Sequence, residues 1–459
     1  MMNAPLARTS FRPADLRHPG WAGMRHLPGD NGALLHLPFW DTARFLRDPL
    51  GYTRRQYERH GPVFRVNHFG GWSAVLIGPD ALELTLFDKD RIFSSELGWG
   101  PILNRLFPRG LMLMDFDEHR AHRKALGVAF KPEPMRAYMA ALNDGIAARV
   151  ERWRAAGAIA AYPEIKALTL DLAATSFLGI PWGPEADRIN RAFVDMVQAA
   201  VGLVRTPLPG TKMGRGVAGR RFMSAFFGRE IAARRGKAGD DIFTQICNVV
   251  DEEGQLLGDQ TIIDHMNFLM MAAHDTLTSS LTATVMLLAQ HPQWQEQLRA
   301  EAAAVGADQL AHDRLGELPL AELVFKEALR LYPPVPSLPR RALSAFHFAG
   351  HDMPAGTHVG INPMLTHRLA EHWPDPDRFD PTRHTAANSR GRHRYAWVPF
   401  GGGAHMCLGL HFAMMQAKAF LFHLLGRARI EILPGAGARW QLFPMPKPRD
   451  GLPVRLAPL

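Results

Sequence analysis

The chain has 459 residues, of which 47% are hydrophobic, and no internal repeat or low-complexity linker divides it, so it can bury an extensive core. A formal charge of +9 raises the question of nucleic acid, but no basic stripe interleaved with aromatics and no recognised nucleic-acid motif accompanies it. Only two cysteines, Cys247 and Cys407, are present, which excludes a disulfide framework and points to a reducing compartment, with the cytoplasm as default.

Residues 1–20 read as a polar N-terminal tail containing Arg8, Arg12, Asp15 and Arg17, with no apolar run long enough for a signal peptide or membrane anchor. Residues 21–459 read as one large domain. Asp41 to His60 has a helical pattern ending near Gly61-Pro62; Val63–Val66 and Ser73–Ile77 read as short strands flanking Gly70-Gly71. From about Pro79 helical patterns dominate, broken by proline-rich connections and a second strand-rich patch near His347 to Ile361. The predicted class is mainly α with a small β lobe. In the run Asp117-Glu118-His119-Arg120-Ala121-His122-Arg123, His119 and Arg123 stand at i and i+4 and share a helix face.

The spacing predicts one helix over Gly258 to Gln290, unusually long for a globular protein, whose middle sets His274, Asp275, Thr276 and Thr278 among apolar residues. A membrane span would not carry that cluster without a partner, so a helix crossing the interior fits better. An acid beside a hydroxyl in an apolar channel suits a proton relay, which makes Asp275 and Thr276 candidates. The bland alternative is a Thr276 bonded back to its own helix and a surface charge at Asp275. Glu327-Ala328-Leu329-Arg330 places opposite charges three apart on one helix face, a pattern common on solvated helices.

The stretch Phe400-Gly401-Gly402-Gly403-Ala404-His405-Met406-Cys407-Leu408-Gly409 puts Cys407 in a glycine-lined turn that leads into a helix-like segment. Glycines let the backbone take positive φ and turn N–H groups toward a sulfur, and a following helix N-terminus adds partial positive charge. Both favour an ionised, metal-binding thiol. Cys247, in Ile246-Cys247-Asn248, lacks such a turn and reads as a core thiol.

Written as Phe-x-x-Gly-x-His-x-Cys-x-Gly, the segment resembles the haem-binding loop of the cytochrome P-450 superfamily through Phe400, Gly403, His405, Cys407 and Gly409, with His405 where most members carry arginine. The resemblance covers nearly the full length. It implies a triangular prism of helices with a small β domain, haem b (iron protoporphyrin IX) between the long central helix and the cysteine-loop helix, and Cys407 as axial ligand of the iron. Ala272-Ala273-His274-Asp275-Thr276 is similar to the family's Ala-Gly-x-Asp/Glu-Thr motif, with Ala273 replacing the common glycine; His274 is open as substrate contact, relay member or core residue. The resemblance further implies that His119, Arg123, Arg340 and His405 meet the haem propionates, with Arg341 as the alternative to Arg340. Glu327 and Arg330, joined by Arg378 from Trp373-Pro374-Asp375-Pro376-Asp377-Arg378-Phe379, would form a buried network that holds the cysteine loop.

The activity implied is that of a haem-thiolate monooxygenase hydroxylating an apolar small molecule with O2. A peroxide-using or isomerising haem-thiolate enzyme and a non-catalytic haem-binding sensor are the alternatives, against which the intact Asp275-Thr276 pair weighs. No flavin or iron–sulfur site is recognisable, so two electrons are expected from a separate ferredoxin/ferredoxin reductase-type donor, attracted to the basic run Arg390, Arg392, His393 and Arg394. A soluble, cytoplasmic monomer is the default. Expected pocket residues are Leu97, Trp99, Val204, Met270, Ala273, Val335, Leu338 and Phe443. Arg205-Thr206-Pro207-Leu208-Pro209-Gly210-Thr211, followed by a basic helix, resembles the branch of sterol demethylases and retinoic acid hydroxylases. A terpenoid, retinoid-like or steroid substrate is thus implied first and a fatty acid second, with Arg205 read as an exposed loop arginine rather than a carboxylate partner.

Overall fold

A computed structural model describes residues 16–37, 39–202, 204–251, 254–437 and 439–459; most of the expected tail, residues 1–15, lies outside the described residues. The helical pattern at Asp41 to His60 resolves into two helices, Trp40–Arg47 and Pro49–His60. Pro49 has no N–H to extend the first ladder, and it starts the second helix while the Asp48 side chain accepts the Gly51 N–H.

The strands that follow, Val63–His68 and Gly71–Leu76, form an antiparallel pair in which Val63 faces Leu76 and His68 faces Gly71. His358–Ile361 joins Gly71–Leu76 in parallel, and Leu338–Ala342 and Phe93–Ser94 complete a five-stranded sheet. Leu338–Ala342 escapes a sequence reading because it contains Pro339, which cannot donate to a ladder. The patch near His347 contributes a separate hairpin, Phe346–Phe348 with His351–Met353.

Helices make up most of the rest. Asp259–Gln290 is a single 32-residue helix, roughly 48 Å long. It packs against Ala161–Leu178, Lys212–Arg234 and Pro319–Leu331. Several of its buried hydroxyls are satisfied inside the helix: Thr278 donates to the His274 carbonyl at 2.9 Å and Thr282 to the Thr278 carbonyl at 2.7 Å, while Ser279 donates to the Pro446 carbonyl at 2.6 Å. Burial is continuous along its C-terminal half but lapses at Met271–Ala273, Asp275 and Thr276, where the helix meets a cavity. Around it Phe177, Phe193, Phe227 and Phe243 are each at most 1% exposed, each stabilising the fold by about 1.5–3 kcal/mol. Among the described residues no helix is long and apolar enough to cross a membrane.

Candidate active site

The cysteine loop is built by backbone geometry. Gly401 (φ 70°) and Gly403 (φ 59°) occupy the left-handed region, and a Cβ on Gly403 would collide with the Leu86 carbonyl oxygen. The turn closes where the Cys407 N–H donates to the Phe400 carbonyl at 2.8 Å, three residues before the helix Leu410–Leu425. Cys407 is accessible only in the sense that it faces an internal cavity. Burial pushes its thiol up, while the Gly409 N–H and the Arg123 guanidinium pull in the other direction by stabilising the thiolate.

The cavity has a volume of about 1050 Å³, beyond the roughly 300–1,000 Å³ of ordinary ligand pockets. Four cation-forming side chains converge on it. The His119 and His405 rings lie 3.9 Å apart, and Arg123 and Arg340 act electrostatically on both. Burial and then these neighbours depress His119 to about 4 and hold His405 well below the ordinary range; burial lowers Arg340 to about 10. Among the described residues no carboxylate lies within 4 Å of Arg123 or Arg340. Asp115 and Asp88 act on Arg340 from beyond that distance, so two buried guanidiniums and two neutral imidazole donors face the cavity with room for anions, a donor set that would suit the two propionates of a haem whose iron met Cys407. The residues fit the cofactor. Arg341, one position along the strand from Arg340, turns to the other face and donates to the Leu16 carbonyl at 2.8 Å, which assigns the inward role to Arg340.

Asp275 and Thr276 both line the cavity. The Thr276 hydroxyl donates to the Ala272 carbonyl at 2.8 Å, as the bland reading requires, but Asp275 is no surface charge. Its Oδ1 accepts from Lys166 Nζ at 3.1 Å and lies 3.0 Å from His274 Nε2. Burial alone would raise its carboxyl; His274 and the Lys166 ammonium overcome that and hold it far below the carboxylate range. His274 is 1% exposed, stands edge-on to Phe193 at 5.3 Å and does not line the cavity, which makes it a core residue.

The Glu327–Arg330 pair is fully buried, with Arg330 Nε and Nη2 each 2.8 Å from the carboxylate. Arg378 does not complete the network as expected. Its guanidinium points outward to Asp380 at 2.6 Å, and only its carbonyl takes part, accepting from Arg330 at 3.1 Å. The charged partner is Arg383, whose Nε lies 3.5 Å from Glu327; His384, its pKa lowered by burial, hydrogen-bonds the carboxylate at 3.0 Å, and the Asp380 N–H donates to it at 3.0 Å. A signal for Arg383 exists in the sequence: Pro381-Thr382-Arg383 repeats the Pro-x-Arg pattern of Pro376-Asp377-Arg378.

Of the expected pocket residues, Trp99, Ala273, Val335, Leu338 and Phe443 line the cavity; Leu97, Val204 and Met270 do not. Both helices present several adjacent sides to the cavity, Ser95–Leu103 through Gly98, Trp99, Pro101, Ile102 and Leu103 among others, and the long helix from Phe268 to Ser280; within that stretch Met270 is buried in the core at 0% exposure. Val204 sits in an outer loop, 56% exposed. Nearby Arg205 is neither a free loop arginine nor a carboxylate partner: it donates to the carbonyls of Ala200 (2.7 Å), Ile102 (2.8 Å) and Pro101 (3.1 Å), fastening that loop. The basic run is largely paired: Arg394 with Glu83 at 2.9 Å, His393 with Asp80 at 3.4 Å, and Arg392 over the Trp373 ring at 3.9 Å.

The model of the family described as cytochrome P450 matches residues 36–441. Cytochrome P450 136 of Mycobacterium tuberculosis is 36% identical over 469 aligned positions, covering 99% of this chain and 93% of that protein. Beta-amyrin 28-monooxygenase of Solanum lycopersicum is 30% identical, covering 86% and 84%. The solved structure of a retinoic acid bound cyanobacterial CYP120A1 superposes with a TM-score of 0.84 at 29% identity, over 93% of this chain and 98% of that one. Likeness of whole chains, and not of one loop, is what these matches establish, and the chain belongs to the cytochrome P450 family as a haem-dependent monooxygenase.

Proposed function

We propose that this monooxygenase hydroxylates a large apolar molecule of terpenoid, retinoid-like or steroid type, using O2 and electrons from a ferredoxin-type donor in the cytoplasm. The observation that carries the reading is the cavity, which at about 1050 Å³ has room beyond one ligand and is walled by Trp99, Phe268, Leu269, Val335, Leu338 and Phe443. The tomato relative is named for beta-amyrin and the cyanobacterial neighbour holds retinoic acid, both large isoprenoid compounds. Two unpaired cysteines suit a reducing compartment.

Haem with a thiolate ligand supplies, when bound, the electron-rich metal centre that favours O–O cleavage. The protein supplies the rest. Cys407 is presented by a turn that only glycine can make, and its thiolate is steadied by the Gly409 N–H. His119, Arg123, Arg340 and His405 would hold the propionates. The apolar walls exclude water and orient the substrate. Thr276 Oγ1 lines the cavity with its proton held by the Ala272 carbonyl, and rotation away from that carbonyl frees the proton for the cavity, while Asp275 Oδ1 beside it is tied to Lys166 Nζ of the neighbouring helix.

The test is the spectrum of the dithionite-reduced protein under carbon monoxide, for wild type and Cys407→Ser, followed by titration with terpenoids, steroids and retinoids. A strongly red-shifted Soret band lost in the variant, together with substrate-induced spin-state shifts, is the expected result. Absence of any shift with all three classes would remove the substrate assignment.

A further inference from the structure

The cavity extends well beyond the haem-binding cations. Arg340 pairs with Val359, Val359 with Ala74, and Ala74 with Arg65, so Arg340 and the strand Val63–His68 are three strand spacings apart, roughly 14 Å. His68 lies three residues further along, which puts it roughly 17 Å from Arg340. Yet both side chains line the same cavity. This remote end is aromatic. Phe45 packs on the His68 ring at 4.5 Å, Tyr52 lies at 5.5 Å, and Phe443 meets Phe45 at 5.0 Å.

Among these rings the Tyr52 hydroxyl is taken up by Asp41, and His68 is the other polar group. Its Nε2 is sealed from solvent without a hydrogen-bond partner and lies 3.7 Å from Asp41 Oδ2. Asp41 is 1% exposed, and its carboxylate accepts the Tyr52 hydroxyl at 2.8 Å and the Asn67 N–H at 3.0 Å. A carboxylate on that side favours the tautomer with the proton on Nε2, and the other nitrogen, Nδ1, is then an acceptor. Burial keeps the ring neutral, lowering it to about 4, with Asp41 opposing and Arg44 reinforcing that shift.

We propose that His68 is a specificity-determining residue, whose Nδ1 accepts a hydrogen bond from a hydroxyl at the end of the substrate remote from Cys407. A substrate carboxylate would suffer repulsion from buried Asp41, and a ketone would bring an acceptor to an acceptor. The preferred ligand is therefore an elongated apolar alcohol. The inference rests on the substrate class proposed above and narrows it.

The experiment is spin-state titration of the wild-type holoenzyme, His68→Phe and His68→Gln with three matched pairs: beta-amyrin and its 3-ketone, a 3β-hydroxysterol and its 3-ketone, and retinol and retinoic acid. In wild type, at least one alcohol binds about tenfold more tightly than its partner. His68→Phe keeps an aromatic ring and brings the ratio to within about twofold, and His68→Gln restores part of it. An unaltered carbon monoxide spectrum in both variants reports an intact fold. Partners that bind as well as the alcohols in wild type, or a preference unchanged in His68→Phe, overturn the role of His68 while leaving the substrate class standing. If no member of any pair binds, the substrate class falls and this inference with it.

Discussion

Lys166 Nζ stands 3.1 Å from Asp275 Oδ1, tying the acid of the long helix to the adjacent helix Ala161–Leu178. Because the Asp275 carboxyl is held far below its unfolded value near ~4, its contribution to stability is complete above that value and is lost only as pH falls through the folded one. The pair therefore persists across the neutral range. In Lys166→Met the carboxyl keeps His274 at 3.0 Å but loses the Lys166 ammonium, so burial pushes it part of the way upward and leaves its charge under-compensated. A loss of about 1–3 kcal/mol is expected at pH 7.5, between the exposed and fully buried cases, and it shrinks as pH falls and Asp275 takes up a proton. Denaturant titrations at pH 7.5 and 5 read this directly, and a difference independent of pH would show that Lys166 does not set the charge on Asp275.

Thr276 is expected to matter for coupling and not for folding. Thr276→Ala removes a hydroxyl that among the described residues bonds to the Ala272 carbonyl of its own helix, so the carbon monoxide spectrum stays at wild type. Product formed per NAD(P)H consumed falls by about tenfold or more, at the low end of what a positioned proton donor contributes, and Thr276→Ser restores most of it. Unchanged coupling in the alanine variant would leave the hydroxyl with a purely structural part.

The two arginines after the Glu327–Arg330 helix separate by geometry. Arg383→Met removes a cation 3.5 Å from a carboxylate that is 0% exposed, and is expected to cost towards the lower end of about 3–5 kcal/mol and to reduce haem content. Arg378→Met removes a guanidinium lying outside the network, and leaves melting temperature and haem content as they were. The opposite ranking in a thermal melt would restore Arg378 to the network.

What was legible in the sequence is what a local pattern encodes. The cysteine turn, the Glu327–Arg330 pair and the long helix are each specified by residues close together in the chain, and Asp275 and Thr276 come with that helix. His119 and Arg123 were legible because one helical turn places them together. Arg378 was misassigned because two Pro-x-Arg runs compete within eight residues (376 to 383), and only the tertiary position of Glu327 decides between them. Lys166 and His68 gave no signal: each takes its importance from a partner on another element, Asp275 in one case and Asp41 in the other. Leu97 and Met270 failed for a different reason, since apolarity alone does not say which side of a helix faces the cavity.

Gly403 bears the strictest steric demand in the cysteine loop. Its φ of 59° is disfavoured for other residues by about 1–2 kcal/mol, and a Cβ there would meet the Leu86 carbonyl oxygen, a backbone atom that cannot swing aside. Gly403→Ala must therefore shift either the turn or the helix Pro79–Phe87 that carries Leu86. Moving the turn alters the 2.8 Å bond from the Cys407 N–H to the Phe400 carbonyl and with it the direction of the sulfur. The expected outcome is a protein that folds but, when reduced under carbon monoxide, shows a diminished thiolate-type Soret band and a growing imidazole-type or ligand-free fraction. Gly435→Ala, which also has positive φ but has nothing within 4 Å of its Cβ position, serves as the control and keeps the full band. Equal spectra for the two variants would mean that the contact with Leu86 does not govern the loop.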